Sequence, residues 1–265
     1  MTSAASGIKK RMRFSGKIAI ITGGAQGIGE ATAQLLAKEG ARVAIVVVDM
    51  TSLQRVLEAL QAEGGEAIAI KADVLSEPAV ASMVRQVLDR FRRIDILVNV
   101  VGGSTTLANP DTPVDRLTLS DWERTMAFNL NGTLLCAQAV IPHMKRQGYG
   151  RIINLSSIVG RGDTRISNAA YATAKAGIRA FTRKLAIELG PFGITCNATA
   201  PSITLTDRIR QLMARRPAGG PQITLSDIPL GRMATADDQA RVIAFLASDD
   251  AAFVSGQTIE VTGGQ

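Results

Sequence analysis

The sequence predicts an α/β fold in which a single doubly wound parallel sheet carries helices on both faces. Three observations carry that expectation. Short apolar runs alternate with amphipathic helical stretches along nearly the whole chain, the pattern of repeated strand–helix crossovers. The runs are almost unbroken in aliphatic residues, as strands covered on both faces are, and Val43–Val48 is the longest. The connections are short, with neither an internal repeat nor an interdomain linker. At 265 residues the chain could hold one or two domains of about 150 residues, and the uninterrupted alternation favours one.

The elements follow in order. Lys17–Thr22 (KIAIIT) reads as the first strand and Ile28–Gly40 as the first helix, stopped by Gly40. Arg42–Asp49 (RVAIVVVD) is a strand nearly continuous in β-branched residues. Leu53–Glu63 places Leu53, Val56, Leu57 and Leu60 on one helical face. Ala67–Ala72 and Ile94–Asn99 are strands on either side of a helix around Val80–Phe91. Ser120–Glu123 (SDWE) has capping-box spacing and opens a long helix toward Lys145. Arg151–Leu155 and Thr195–Ala200 are strands flanking a helix at Ala169–Leu189. A last helix near Asp237–Leu246 leads to a last strand, Thr258–Val261. Only Ala214–Gln222 (ARRPAGGPQ) has the composition of a mobile loop.

Composition excludes several classes. A chain 46% hydrophobic and 20% charged is neither disordered nor collagen-like. No apolar run nears the ~18 residues of a membrane helix, and no secretory apolar segment stands at the N-terminus. Cys136 and Cys196 offer neither a disulfide framework nor a zinc quartet, so a reducing, cytoplasmic setting without a bound metal is expected. The net charge of +7 suggests nucleic acid until it is located. Lys9, Lys10, Arg11 and Arg13 supply four of the seven charges, and aromatics are only 4%. A solvated basic leader at residues 1–13 is expected, with no nucleic-acid and no membrane partner.

Chemistry gathers at the predicted carboxyl ends of the strands, where ligands bind in open α/β sheets. Thr22–Gly29 (TGGAQGIG) directly follows the first strand. Its glycines allow a tight turn and close approach of a phosphate to a helix N-terminus. The spacing is TGxxxGIG, so the loop alone points no further than an anionic cofactor group. Tyr171 and Lys175 stand at i and i+4 and share a helical face. An ammonium about 4 Å away, at an effective dielectric near 20, attracts a phenolate by about 4 kcal/mol. That is enough to bring the tyrosine from ~10 toward neutrality and make it a general acid or base. Ser157, just past the RIINL strand, offers a hydroxyl to a carbonyl oxygen. His143 reads as a surface residue, so no histidine triad is expected.

Together these residues resemble the short-chain dehydrogenase/reductase family, in the right order from about Phe14 to Gly264. TGGAQGIG is similar to the family's cofactor loop, through Gly23, Gln26, Gly27, Ile28 and Gly29. Asp73-Val74 resembles its adenine-contacting pair, and Asn99-Val100-Val101-Gly102 stands where Asn-Asn-Ala-Gly is usual. Asn129, Ser157, Tyr171 and Lys175 match its catalytic tetrad. Pro201, Thr204 and Thr206 fall in its turn near the nicotinamide, and Ser255–Gln257 through Gly263-Gly264 resembles its closing motif.

The resemblance implies a Rossmann-type fold, with one NAD(P)-binding catalytic domain over 14–265 and a mobile substrate lid at 205–222. It implies hydride transfer between a nicotinamide dinucleotide and a secondary alcohol or ketone. In that scheme Tyr171 exchanges a proton with the substrate oxygen, while Lys175 lowers the tyrosine pKa and bonds the nicotinamide ribose. Ser157 polarises the carbonyl, and Asn129 holds a water in a proton relay. A homotetramer (or homodimer) through the long helices is also implied, and the stretch MAFNLNGTLLCAQAV is apolar on more than one side.

Three departures matter. Val100 and Val101 replace smaller residues, and Ser202 stands where a glycine usually follows Pro201. The position of the family's ribose-binding acid falls on Val47, and Asp49 comes two residues later. A carboxylate there would bond the adenosine ribose and repel a 2′-phosphate. Between Val43 and Gln54 there is no Arg or Lys, and Gln26 replaces a basic residue of many NADP-using relatives. NAD is therefore favoured over NADP. In the competing reading Asp49 merely starts a helix ahead of Thr51-Ser52.

Arg161, Arg165, Arg208 and Arg210 suit an anionic or acyl-carrier substrate. Thr105, Leu107, Ile158 and Val159 suit a small uncharged alcohol. A catalytically silent dinucleotide-binding regulator is the alternative function, and the complete tetrad argues against it.

Overall fold

The computed structural model describes residues 12–51, 53–62, 65–104, 106–107, 109–162, 167–215 and 225–265. Strands and helices alternate as β1 Ile18–Thr22, α1 Gly27–Lys38, β2 Arg42–Val47, α2 Leu53–Ala62, β3 Ala67–Lys71, α3 Glu77–Phe91 and β4 Ile96–Asn99. There follow α4 Leu119–Met126, α5 Gly132–Gln147, β5 Gly150–Leu155, α6 Ala169–Leu189 and β6 Ile194–Pro201. The chain ends with β7 Thr204–Leu205, α7 Asp207–Arg215, β8 Ala234–Thr235, α8 Ala236–Ala247 and β9 Thr258–Val261.

Seven strands form one sheet in the order β3-β2-β1-β4-β5-β6-β9, and each pairing is parallel. The chain winds outward from β1 to β3, then returns to lay β4 on the other side of β1. The order therefore reverses between β1 and β4, which opens a crevice at their carboxyl ends. The expected doubly wound sheet is what forms.

Period-two alternation sorts the strand residues between two cores. Ile18, Ile20, Ala44, Val46, Leu97 and Ile152 pack with α3, α5 and α6. Ala19, Ile21, Val43, Ile45, Ile96, Val98 and Ile153 pack with α1, α2 and α8. This explains the unbroken aliphatic runs: both faces of the central strands β1, β4 and β5 are covered by helices. Burial of each large side chain contributes about 1.5–3 kcal/mol.

Several expectations are corrected. The long helix from Ser120 is two helices joined by a π turn at Ala127–Asn131. Its cap is Thr118, whose hydroxyl accepts from the Asp121 amide at 3.1 Å and donates to the Asp121 carboxylate at 2.8 Å. Ser120 lies inside the first turn. The second strand stops at Val47, because Asp49 closes a turn on Thr51. Arg13, assigned to the leader, is tied to Glu39 at 2.5 and 2.8 Å and so belongs to the fold.

Residues 1–11, with Lys9, Lys10 and Arg11, lie outside the described residues, as do 216–224 of the expected lid. The described start of that lid is β7, paired with β8, followed by α7. Among the described residues no helix is long and apolar enough to cross a membrane.

Candidate active site

Sheet register sets the site. Thr22, Asn99 and Asn154 stand side by side at the carboxyl ends of β1, β4 and β5. Beyond Thr22 the chain turns through Gly23 into α1. A Cβ on Gly29 would lie 2.2 Å from the Gly23 carbonyl oxygen, so only glycine fits where helix and loop meet. Gln26 is the extended N-cap of α1; it is exposed and makes no side-chain cap, and Gly27 and Ile28 form the first turn. A helix N-terminus left uncapped behind a glycine cradle fits the pyrophosphate of a dinucleotide.

The Thr22 hydroxyl accepts from the Val100 and Val101 amides at 3.0 and 3.4 Å, which fixes the loop after β4 against the glycine loop. Sequence reasoning did not single Thr22 out; a hydroxyl ending a strand gives no signal until its partner, 78 residues away, is known. Asn99 donates to Asn154 at 3.0 Å, and Asn154 donates to Thr182 at 2.9 Å. Asn99 Oδ1 is buried and has no hydrogen-bond partner among the described residues. Val100 packs on the core of α1, α2 and α8, and Val101 on the opposite one. The two valines that depart from the family pattern thus fill core space.

Asn129 sits in the π turn between α4 and α5, buried. Its Oδ1 accepts from the Gly103 amide at 2.7 Å, and its Nδ2 donates to the carbonyls of Gly103 and Thr125 at 3.1 and 3.0 Å. A Cβ on Gly102 would stand 2.8 Å from Asn129 Oδ1 and 3.0 Å from Lys175 Nζ. Gly102, Asn129 and Lys175 are therefore in one cluster. Lys175 is 2% exposed, donates to the Leu155 carbonyl at 2.8 Å and lies 5.7 Å from the Tyr171 ring centroid. Ser157 caps the short helical turn Ile158–Arg161 by accepting from the Val159 amide at 3.2 Å. Its hydroxyl also lies close enough to the Tyr171 hydroxyl to ease its ionisation. All four expected catalytic residues come together here.

The electrostatics depart from expectation. Burial pushes Tyr171 up to about 12, against the Ser157 hydroxyl and the charge of Arg208, which pull it down. Burial also lowers Lys175 to about 7. Lys175 therefore does not bring the tyrosine toward neutrality within the chain. Desolvation penalises both charged forms, and it outweighs their attraction.

Past β6, Pro201 is buried at the strand end and Ser202 has no left-handed φ, so glycine is not required there. Thr204 is buried in the β7–β8 pair. Thr206 caps α7, accepting from the Ile209 amide at 3.3 Å. A Cβ on Gly27 would lie 2.9 Å from Thr206 Cγ2, so this turn closes on the glycine loop. Val74 is buried against Gly132, while Asp73 is exposed and closes its own turn on the Leu75 amide at 2.9 Å.

Asp49 is exposed, and Oδ1 takes both the amide and the hydroxyl of Thr51, at 3.0 and 2.5 Å. These bonds hold its pKa below the ordinary carboxylate value. Arg55, one residue beyond the stretch searched for basic groups, is bound bidentately to Glu30 at 2.7 and 2.9 Å.

The four candidate substrate arginines separate. Arg161 shares Glu260 with Arg179, at 3.0 and 2.8 Å. Arg165 and Thr105 lie outside the described residues, and Arg210 is exposed on α7. Arg208 reaches the loop after β4, with Nη1 3.4 Å from the Gly102 carbonyl. Of the proposed aliphatic wall, Leu107 and Ile158 are buried and Val159 is partly exposed.

Comparison with known proteins agrees with this geometry. A family model described as enoyl-(acyl carrier protein) reductase matches residues 23–265. The short-chain reductase protein NovJ of Streptomyces niveus is 38% identical over 271 residues, covering 100% of both chains. The chain belongs to the short-chain dehydrogenase/reductase family. It is accordingly an oxidoreductase of the CH–OH and ketone class, and the family binds a nicotinamide cofactor.

Two crystal structures of the short-chain family superpose over nearly their whole length. Levodione reductase has a TM-score of 0.88 at 32% identity, covering 96% of this chain and 98% of its own. A 3-oxoacyl-[acyl-carrier protein] reductase from Brucella melitensis, solved with bound NAD, has a TM-score of 0.86 at 30% identity. The coverage is 100% of this chain and 96% of that one.

Proposed function

We propose that this chain interconverts a secondary alcohol and its ketone with NAD as preferred cofactor, using Tyr171 as general acid and base. The observation that carries this reading is the Tyr171–Ser157 hydroxyl pair beside buried Lys175, facing the loop that Asn129 clamps. Gly23, Gln26, Gly27, Ile28 and Gly29 would receive the pyrophosphate. Asp73 and Val74 would border the adenine, Asp49 the ribose, and Asn99, Gly102, Pro201, Thr204 and Thr206 the nicotinamide half. When bound, the nicotinamide supplies a hydride to the carbonyl carbon, or takes one from the carbinol.

Tyr171 donates its phenolic proton to the carbonyl oxygen as the carbon is reduced, and takes it back in the reverse direction. Ser157 donates to the same oxygen, so the developing alkoxide meets two prepositioned hydroxyls. A tyrosine held near 12 is fully protonated at neutral pH, which favours ketone reduction there. Lys175 opposes phenolate loss of charge whenever it is itself protonated. The Asn129 amide is committed to Gly103 and Thr125, so its contribution is to hold the β4 loop. A relay water would have to use the remaining lone pair of Oδ1 or the backbone of the π turn.

Three features support NAD over NADP. Asp49 keeps its second carboxylate oxygen for a ribose hydroxyl, since both Thr51 bonds fall on Oδ1. Arg55 is neutralised by Glu30. The Brucella melitensis relative binds NAD. Assembly into a homotetramer is supported by exposed Leu134 on α5, Ile187 on α6 and Phe245 on α8, and a cytoplasmic setting by two buried free cysteines.

The test is a panel of ketones and alcohols assayed with NADH and NADPH separately. Tyr171→Phe should lose turnover by about 10²–10⁴-fold while still binding dinucleotide. Unchanged turnover in that variant would remove Tyr171 from the chemistry. Absence of turnover with every pair, alongside tight dinucleotide binding, would favour the silent regulator.

A further inference from the structure

We infer that Arg179 and Glu260 are positioning residues that hold Ser157 against the substrate oxygen. This rests on the reading of Ser157 above, as a hydroxyl that meets that oxygen, and names what keeps it there. Arg179 lies on α6 four residues beyond Lys175 and eight beyond Tyr171, so it continues their row along the helix. Its Nη2 donates to the Ser157 carbonyl at 3.2 Å and to Glu260 Oε1 at 2.8 Å. Glu260 belongs to β9 and pairs with Ala200 near the carboxyl end of β6. Its second oxygen, Oε2, accepts from Arg161 at 3.0 Å. Arg161 is the last residue of the short turn that Ser157 caps. One carboxylate therefore reaches both ends of that turn, at Ser157 through Arg179 and at Arg161 directly.

The Ser157 carbonyl already accepts from the Gly160 amide at 3.1 Å, which closes the turn, so Arg179 takes up its second lone pair. A Cβ on Gly160 would lie 2.8 Å from the Lys175 carbonyl carbon, so the turn rests directly on the backbone of α6. The helix that carries Tyr171 and Lys175 thus also carries the group that fixes Ser157. Arg179 Nε is buried and has no hydrogen-bond partner among the described residues, so the side chain gives up one donor to keep this geometry. The ion pair itself is partly exposed, and such pairs add little to overall stability. What it can do is orient. Displacing a reacting group by about 1 Å can cost about 10²-fold in rate, so a small swing of the Ser157 backbone is enough to matter.

The experiment uses the purified full chain with NADH and the best ketone of the panel above. Arg179→Met keeps the apolar stem and removes both bonds. Its kcat should fall by about 10–100-fold, while NADH affinity, read by fluorescence titration, stays within about twofold of wild type. Arg179→Lys, which keeps a cation, and Glu260→Gln, which keeps the shape, should each fall between. The deciding measurement is Arg179→Met in a Ser157→Ala background. There it should cost less than about twofold in kcat, because a group that acts through Ser157 has nothing left to position. Hydrogen exchange over residues 157–162 should be faster in Arg179→Met than in wild type. Losses that multiply in the double variant, kcat within about twofold of wild type in Arg179→Met, or unchanged exchange would each overturn the inference. Wild-type turnover in Ser157→Ala, or no turnover with any ketone, would instead remove the reading of Ser157 and this inference with it.

Discussion

Asn129 grips both backbone polar groups of Gly103: its Oδ1 accepts from the Gly103 amide at 2.7 Å and its Nδ2 donates to the Gly103 carbonyl at 3.1 Å. A single side-chain amide thereby does for the β4 loop what a neighbouring strand does for a ladder. It also ties that loop to the π turn, where the same Nδ2 bonds the Thr125 carbonyl at 3.0 Å. Asn129→Ala should cost about 1–3 kcal/mol, because three partly buried partners lose their bonds. In a domain of this size that is a fall in Tm of several degrees, on a scale of about 2–4 °C per kcal/mol. Asn129→Asp should be worse than Ala. It is isosteric, yet it turns a carboxylate oxygen toward two carbonyls. Calorimetry of both variants checks the order, and equal melting temperatures for Asp and wild type would refute the clamp.

Gly29→Ala tests the cradle. The added methyl would stand 2.2 Å from the Gly23 carbonyl oxygen, a backbone atom that cannot rotate away. The loop must open, and the amides at the start of α1 lose their common direction. We expect dinucleotide affinity to fall by at least about tenfold, the worth of one charge-assisted hydrogen bond. Fluorescence titration with NADH measures it, and binding within about twofold of wild type would show that the cradle does not hold the cofactor.

The parts of this fold governed by local pattern were legible in the sequence, and the parts governed by tertiary contact were not. Ala169–Leu189 forms the helix expected, because Asn168 caps it through the Tyr171 amide and Gly190 follows its last residue. The π turn was invisible, since MAFNLNGT contains no proline and the bond that organises it reaches 26 residues back to Gly103. Tyr171 and Lys175 were legible as a pair, but the direction of the tyrosine pKa depends on burial, which no spacing encodes. Four arginines looked alike as substrate partners until Glu260 claimed one and the start of α7 carried Arg208 to Gly102.

Asp49 decides between dinucleotides if it decides anything. Asp49→Ala should lower the ratio of kcat/KM for NAD over NADP by about tenfold, through loss of a ribose bond and of the repulsion toward a 2′-phosphate. Thr51→Val removes one of the two bonds on Oδ1 while keeping the carboxylate, so the ratio should stay within about threefold of wild type. Were Asp49→Ala to leave the ratio unchanged, the residue would be a turn former and nothing more.

Lys175 makes stability rise with pH, opposite to a lysine whose charge is held by an acidic partner. Burial lowers it to about 7, whereas in the unfolded chain it titrates near the usual 10.5. Between those values the unfolded chain holds one more proton than the folded one, so stability rises with pH, by about 1.4 kcal/mol per pH unit at most. Below about 7 both states are charged and the folded state bears the full cost of a buried ammonium. Tyr171 acts the other way, since it titrates near 10 unfolded and about 12 folded, and stability falls as pH rises between them. Lys175→Met removes the first effect and keeps the second. Its Tm should exceed wild type at pH 6–7, less about 1 kcal/mol for the lost bond to the Leu155 carbonyl, and the advantage should shrink steadily toward pH 10. Calorimetry at pH 6, 8 and 10 reads this directly. A difference that stays constant across that range would mean that the folded chain keeps Lys175 charged, and with it the electrostatic support for a phenolate at Tyr171.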